Sequence, residues 1–549
     1  GTGPVLWTST AAIGFAGGSG PRTLTLQGTN SGANTLALAL SDSGGPTSLV
    51  MDGPGTWLLT AANSYTGPTT LAGGTLVVPT LAIGGVPSAI GASSNSPANL
   101  VFNGGTLQYT GTGAISDRGF TLNAGGGTFD IEGQTLTLTG SATGSGGLTK
   151  AGPGGLVLTG AVNYGGPTMV NGGNLTLSIN NNNSATTVNG GTLTLLSIDV
   201  NANNAITINA GGVVQSAGTL KLIANGSAAA ACVQGNGTLA LTSTSSSAAT
   251  PDISFNDNDV DNSTANYGTS INTPIDLGAS QRYIWGRTNH NGLGQYGLTN
   301  TDCMFNGPIS GAGGLTFIAQ DSFTTGSHPM ETPFALNAAN TFTGPVEIQR
   351  GSVYLGNANA LVMNNVLTLD PAAGNNARFF LYGNNASVSN LSSSGGGSAV
   401  IADGNANPSR IGPATLTVTE NKATTYSGAI VDTQKEYGSE SGTLDTSLSL
   451  VKTGLAALIL AGSDTYSGGT GVDAGALIIS NGNALPNNTS LTIGAGASFI
   501  FDPAAASSAP IVSAQSAVAA VPEPSTIVLL VVGAMLGGIA WRRTSIRRS

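Results

Sequence analysis

The sequence predicts an all-β protein, a right-handed parallel β-solenoid (β-helix) over residues 1–503, with a single transmembrane helix near its C-terminus. Gly supplies 83 of the 549 residues, roughly twice its usual share. Charged residues make up 8%, against roughly 25% in a typical globular domain. Short β-prone runs, such as TLTLTG at residues 135–140, alternate with Gly-rich corners along the chain. Gly accepts the positive φ angles that such corners need, and Asn at corners can form hydrogen-bonded ladders.

The composition also argues against other classes of protein. Collagen needs Gly at every third position, and the Gly spacing here is irregular. A helical bundle needs many charged residues on its outer faces, whereas Lys and Arg together number 16. Without Glu523 and the four tail arginines, residues 1–520 hold 12 basic and 25 acidic residues, a net charge of −13. We therefore expect no nucleic-acid partner, because a phosphate backbone repels such a surface.

A repeated segment lies at residues 52–78, 150–177, 334–355 and 452–479. The copies align without gaps on one aromatic residue, with Leu six residues before it and Gly two and nine residues after it. The aligned sets are Tyr65, Tyr164, Phe342 and Tyr466; Leu59, Leu158, Leu336 and Leu460; Gly67, Gly166, Gly344 and Gly468; and Gly74, Gly173, Gly351 and Gly475. Coincidence at four places indicates structural repeats, and we expect the aligned leucines to point into the core.

The spacing of the copies decides between two folds. The aligned aromatics are 99, 178 and 124 residues apart. An array of β-sandwich domains predicts regular spacing near about 100 residues. A solenoid with coils of roughly 20–25 residues accommodates irregular spacing, because any number of coils can separate two copies. The sequence therefore favours the solenoid.

The second copy and the residues before it resemble the autotransporter-associated, passenger-type β-strand repeat of bacterial surface proteins. The resemblance covers residues 116–131 and 136–177, and it is closest at Gly-Gly-Leu-Thr-Lys, Gly-Pro-Gly and Tyr-x-Gly. It weakens in later copies, where Arg350 and Ala474 replace the first Gly of a pair. The resemblance implies an exported protein with a β-helical shape.

The last 29 residues, 521–549, contain three elements in a fixed order. The sequence Val-Pro-Glu-Pro-Ser precedes an uncharged apolar run at residues 527–541, and an arginine cluster follows. An apolar run of this length is short for a bilayer core of about 30 Å, but flanking residues extend it. The arginines predict a cytoplasmic C-terminus with the body outside. Residues 504–520, rich in Ala and Ser, are predicted to be a linker.

This order of elements resembles the PEP-CTERM tail of Gram-negative bacteria. The resemblance implies that exosortase, a membrane-embedded transpeptidase, recognises and cleaves the tail after transient anchoring in the inner membrane. The implied sorting motif comprises Val521, Pro522, Glu523, Pro524 and Ser525, and the implied membrane stop comprises Arg542, Arg543, Arg547 and Arg548. A permanent C-terminal membrane anchor is the alternative interpretation.

Few residues are candidates for a metal site, a disulfide or a catalytic site. Asp257, Asp259 and Asp261 alternate and could coordinate Ca²⁺, but Asn262 and Gly268 depart from the calcium-loop pattern, which favours a solvated loop and no metal site. The two cysteines, Cys232 and Cys303, could pair or remain free. No cofactor is predicted, and no pattern of a catalytic triad, phosphate-binding loop or zinc protease occurs.

The segment at residues 281–296 is the richest in aromatic and cationic side chains. Its candidates for a sugar-binding face are Arg282, Tyr283, Trp285, Arg287 and His290. The alternative is a lateral loop packed on the solenoid.

Together these features predict a non-enzymatic, exported structural or adhesive protein of the cell surface or extracellular matrix, with extracellular polysaccharide as a candidate partner. The alternatives are a β-helical polysaccharide lyase or hydrolase and a glycan-binding adhesin.

Overall fold

The computed structural model describes residues 3–11, 13, 18–30, 32–178, 184–201, 203–224, 230–257, 269–288, 303–321, 333–405, 412–434 and 446–504. It divides into two compact units, Gly1–Gly344 and Pro345–Ser549. Apart from one short 3-10 turn, Pro97–Asn99, the regular elements of the described residues are strands. These strands pair in parallel within their ladders, which confirms the predicted all-β, parallel class. The handedness of the winding stays a prediction.

The predicted transmembrane run, residues 527–541, lies outside the described residues. Within the part of the chain that is described, no helix has the length and apolar character to cross a bilayer.

The first unit is built from four parallel ladders, named A to D. Ladder A contains Leu6–Trp7, Ala33–Leu36, Thr56–Leu59, Thr75–Val78, Thr106–Tyr109, Gly127–Ile131, Leu148–Ala151, Thr168–Val170, Thr186–Val188, Ile206–Ile208, Ala230–Gly235, Thr269–Asn272, Cys303–Phe305 and Pro333–Leu336. Ladder B contains Arg22–Leu26, Thr47–Met51, Thr69–Leu71, Leu100–Phe102, Phe120–Leu122, Ala142–Gly144 and Val162–Tyr164. Ladder C contains Ala114–Ser116, Leu136–Leu138, Gly155–Leu158, Asn174–Leu177, Gly191–Leu195, Gly212–Ser216, Thr238–Leu241, Ile275–Asp276 and Ile309–Ser310. Ladder D contains Ile198–Val200, Leu220–Ala224, Ile253–Asp257, Arg282–Thr288 and Leu315–Asp321.

The first coils contribute strands to ladders A and B, and from Ala114–Ser116 onward ladder C is added. A middle coil passes through Phe120–Leu122 in ladder B, Gly127–Ile131 in ladder A and Leu136–Leu138 in ladder C. The chain then returns to ladder B, where Phe120 pairs with Ala142, 22 residues later. Later coils pass through ladders A, C and D instead. This stacking, with the predicted coil length, is that of a parallel β-solenoid.

The second unit contains four further ladders, named E to H. Ladder E contains Val346–Leu355, Val366–Leu369 and Asn390–Ser393. Ladder F contains the second half of Val346–Leu355, then Asn376–Phe380, Ser398–Asn405 and Ala429–Gln434. Ladder G contains Ala386–Val388, Ala414–Thr419, Leu448–Thr453, Thr470–Val472 and Leu491–Ile493. Ladder H contains Thr424–Tyr426, Ala457–Leu460, Ala476–Ile479 and Ser498–Phe501.

The core of each unit is a set of apolar columns, because alternate residues of a strand point inward. In ladder C, an inward column joins Leu156, Leu175, Leu193, Val214 and Leu239, all of them buried. The four leucines aligned across the repeats are also buried. The expectation that they point into the core is therefore confirmed.

The aligned glycines nine residues after the aromatic have a backbone conformation that other residues rarely adopt. Gly74, Gly173, Gly351 and Gly475 all have positive φ, between 60° and 99°. An added Cβ at Gly475 would also press against the carbonyl oxygen of Gly454 in the preceding coil. Both constraints exclude a side chain at these corners.

Asparagine side chains form ladders at the corner after ladder A. The amide of Asn189 donates to Asn171 at 2.8 Å, and that of Asn209 donates to Asn189 at 2.6 Å. A second series joins Asn337 to Asn306 and Asn306 to Asn272. These series confirm the expected asparagine ladders.

The two cysteines are buried, and neither is part of a disulfide. Cys232 lies on the strand Ala230–Gly235 and Cys303 on Cys303–Phe305, with Thr269–Asn272 between them in ladder A. Two ladder steps separate their backbones by about 10 Å, more than a disulfide spans. Burial raises the pKa of the Cys232 thiol to about 12, so this thiol stays protonated at neutral pH.

Candidate functional site

Each of the three aligned tyrosines is hydrogen-bonded to a threonine, a pairing that the alignment of the copies did not identify. Tyr65, Tyr164 and Tyr466 are buried, and each hydroxyl bonds to a Thr hydroxyl four residues later. The three distances are 2.7, 2.6 and 2.5 Å, to Thr69, Thr168 and Thr470. In the third copy the aromatic is Phe342 and the residue four later is Val346, so both hydroxyls are absent together. This covariation within the chain could have revealed the pair.

In two copies, a buried lysine donates hydrogen bonds to the backbone carbonyls of the Gly corner; we say that it closes the corner. The ammonium of Lys150 donates to the carbonyls of Ala151, Gly152 and Gly172 at 2.6, 2.9 and 3.1 Å. The ammonium of Lys452 donates to three carbonyls in the same way, those of Thr453, Gly454 and Ala474. Burial lowers the pKa of each lysine to about 8. The equivalent residue of the first copy is Met51, which is buried.

A third repeat position ties adjacent coils together. Two residues before the aromatic, a side-chain oxygen accepts a backbone N–H from the preceding coil. The three pairs are Asn63 with Leu40, Asn340 with Ile309, and Asp464 with Ile430, each at 2.8 Å. The second copy has Val162, which packs in the core instead. These repeat motifs are structural, since the hydrogen bonds described above all lie within the chain and are made by buried side chains.

The aromatic segment proposed as a sugar-binding face forms the strand Arg282–Thr288 of ladder D. The strand alternation turns Arg282 inward, where it is buried and forms an ion pair with Asp252 at 3.1 Å. Arg282 also donates to the carbonyls of Leu241, Ser243 and Leu277. The inclusion of Arg282 in a sugar-binding face was therefore wrong, because its guanidinium is buried and bonded to groups of the core.

The outer side of the same strand carries Tyr283 and Trp285, both partly exposed. Trp285 pairs with Ser254 on one side and Ile318 on the other. The indole N–H of Trp285 is shielded from solvent and has no hydrogen-bond partner among the described residues. The side-chain oxygen of Asn256, on the neighbouring strand, is in the same condition. This face therefore presents an unpaired donor and an unpaired acceptor beside two aromatic rings.

The remaining predicted sites lie largely outside the described residues. Asp257 ends the strand Ile253–Asp257, whereas Asp259, Asp261 and His290 are not described. No group of three potential metal-ligating side chains occurs within the described ranges. The sorting motif at residues 521–525 and the four tail arginines are likewise outside them.

Comparison with known proteins accords with the geometry of the repeats. Residues 49–78, 148–179 and 450–479 match the Passenger-associated-transport-repeat model, which overlaps the first, second and fourth copies. Residues 520–544 match the PEP-CTERM protein-sorting motif. Both resemblances inferred from the sequence are thereby confirmed.

One similar protein is the Adhesin BmaC autotransporter of Brucella suis biovar 1 (strain 1330), 29% identical over 504 residues. The alignment covers 84% of this chain but 14% of the relative, so the chain spans a small part of that protein's length. No solved structure matches. The sorting motif, the passenger-type repeats and this relative together support an exported cell-surface protein.

Proposed function

We propose that this protein is exported to the surface of a Gram-negative bacterium, where its solenoid is a non-enzymatic adhesive or structural element of the extracellular matrix. The observation that carries the sorting part is the ordered tail, in which the motif match at residues 520–544 precedes a cluster of arginines. The similarity to a named adhesin supports the adhesive part. Both proposals concern this chain of 549 residues, not its much longer relative.

The tail acts in three steps. The apolar run at residues 527–541 inserts as a helix, because a lone segment in hydrocarbon must satisfy its own backbone. Pro522 and Pro524 keep the motif extended outside that helix, since Pro is excluded from helix interiors. The four arginines hold the C-terminus in the cytoplasm because charge crosses the bilayer at high cost. Exosortase then cleaves near the motif and releases the solenoid or attaches it to the surface.

Mass spectrometry of the mature protein tests this order in a host that carries exosortase. The wild type is expected to have lost Ser549 and the arginine cluster. Glu523→Ala is expected to insert normally but to keep its full C-terminus. The matched variant with the four arginines changed to Ser is expected to lose membrane retention before cleavage instead. A mature wild-type protein that still ends at Ser549 would show that the tail is a permanent anchor.

A further inference from the structure

Two polar groups on the outer face of ladder D, around Trp285, lack the hydrogen bonds that shielded polar groups usually make. Buried polar groups almost always have hydrogen-bond partners, and leaving one unpaired is costly. Here the indole N–H of Trp285 and the amide oxygen of Asn256 both lack a partner among the described residues. One is a donor only and the other an acceptor. A single hydroxyl group would satisfy both, because it accepts one hydrogen bond and donates another.

The register places these two side chains within reach of one such group. Ser254 pairs with Trp285 and Asn256 pairs with Arg287 on adjacent parallel strands. Asn256 is therefore two residues along and one strand over from Trp285, a Cα separation of about 8 Å. Both atoms are shielded from solvent in the free protein, so the two side chains must turn outward for one hydroxyl to bridge them.

The surrounding face selects the kind of molecule that brings the hydroxyl. Tyr283 lies two residues before Trp285 on the same side of the strand, about 6.6 Å away. Two adjacent aromatic rings offer flat apolar surfaces, against which the C–H faces of sugar rings can stack. The nearest described cation in the outward row, Lys221, is already paired with Asp199 at 3.4 Å. The three side chains that form this face, Tyr283, Trp285 and Asn256, carry no charge, which suits a neutral ligand.

We propose that this face is a subsite for neutral pyranose units of a matrix polysaccharide, stacked on Trp285 and Tyr283. One sugar hydroxyl accepts the N–H of Trp285 and donates to the side-chain oxygen of Asn256. The proposal rests on the adhesive function proposed above and names its ligand class. Arg282, although adjacent in sequence, takes no part because it is buried with Asp252.

Affinity electrophoresis of the full chain in mild detergent tests the subsite. The gels contain hydroxyethylcellulose, galactomannan or dextran as neutral probes, and alginate as an acidic one. We expect at least one neutral polysaccharide to retard the wild type more than alginate does. Trp285→Ala is expected to weaken binding about tenfold or more, as for a central aromatic anchor. Trp57→Phe is the matched control, because Trp57 is a buried indole whose N–H also has no hydrogen-bond partner in the described part of the chain. It is expected to bind like the wild type.

A double-mutant cycle tests the bridging hydroxyl. Trp285→Phe keeps an aromatic ring but removes the N–H, and Asn256→Ala removes the acceptor. Each is expected to weaken binding less than Trp285→Ala, and the double variant is expected to lose less than the two single losses combined. Thermal unfolding of each variant separates lost binding from lost folding. Wild-type mobility of a folded Trp285→Ala variant, or no retardation of the wild type by any neutral probe, would overturn the subsite.

Adhesion of cells that display the protein distinguishes the two proposals. If displayed wild-type and Trp285→Ala proteins support equal adhesion, the subsite fails and the adhesive function stands. If the purified protein binds a neutral polysaccharide but its deletion leaves adhesion and matrix integrity unchanged, the adhesive or structural function fails and the subsite stands.

Discussion

The two units share one architecture but treat buried charge differently. In the first unit, the buried guanidinium of Arg118 donates to Ala82, Ser93, Val86 and Gly91, at 2.8 to 3.4 Å. The buried carboxylate of Asp252 faces the guanidinium of Arg282. Arg118 is therefore surrounded by acceptors, and Asp252 has a cationic partner.

The second unit instead buries three carboxyl groups that are only half satisfied. Asp403, Glu420 and Asp464 each have one oxygen with no hydrogen-bond partner among the described residues. Burial raises the pKa of each to about 7. The difference teaches that a solenoid core tolerates either a paired charge or a protonated acid, and that the second solution makes stability depend on pH.

The largest predicted effect is a loss of stability in the second unit as the pH rises. A carboxyl with a raised folded pKa stabilises the fold fully below its unfolded pKa near 4, and loses that contribution as the pH approaches about 7. The loss is on the order of a few kcal/mol for each carboxyl. Hydrogen exchange at pH 4.5 and pH 8, corrected for intrinsic rates, should show faster opening at pH 8 in the second unit only.

Amide variants provide the control for this pH dependence. The triple variant Asp403→Asn, Glu420→Gln, Asp464→Asn cannot titrate at these sites and should make the two units respond alike. Lys150 and Lys452 do not disturb the comparison, since their lowered pKa values affect both units above about pH 8. Equal pH responses of the two units in the wild type would contradict the prediction.

The next effect concerns the lysine that closes the Gly corner. Lys150→Met and Lys452→Met both remove three hydrogen bonds to carbonyls, and each should cost about 1–3 kcal/mol. Lys452→Met should cost more at neutral pH, because Lys452 also lowers the pKa of Glu420. Urea unfolding followed by unit-specific hydrogen exchange measures both losses. Met51→Leu is the matched control, since that copy lacks the lysine. A smaller loss for Lys452→Met than for Lys150→Met would contradict the assigned role of Glu420.

Much of the fold follows from the sequence because its strongest constraints are local. Gly475 and its equivalents could be found because positive φ admits little else. Leu460 and its equivalents could be found because an inward position must be apolar. The ladders of Asn189 and Asn306 followed from the frequency of Asn at corners. Each of these inferences needs only the spacing of residues within one coil.

The candidate site could be predicted only in part, because it depends on the register between coils. Arg282 carries a charge and was expected at the surface. Its partner Asp252 lies one coil earlier, and only the pairing of Ile253–Asp257 with Arg282–Thr288 brings the two together. The same register sets Asn256 beside Trp285. Where coil lengths vary, the spacing of residues in the sequence does not determine this register.

The smallest predicted effect tests whether the repeat motif is equivalent in the two units. Tyr466→Phe leaves Thr470 without this partner, and Thr470→Val leaves Tyr466 without its own, so each should cost about 1 kcal/mol. The double variant reproduces the Phe and Val of the third copy and should cost less than either single change, because no buried hydroxyl remains unpaired. Thermal unfolding of the four proteins completes the cycle. The same substitutions at Tyr164 and Thr168 are the matched set in the first unit and should give the same coupling. Additive losses in either unit would mean that the hydroxyls act independently, and unequal couplings would mean that the surrounding coils, rather than the motif, set the stability of the pair.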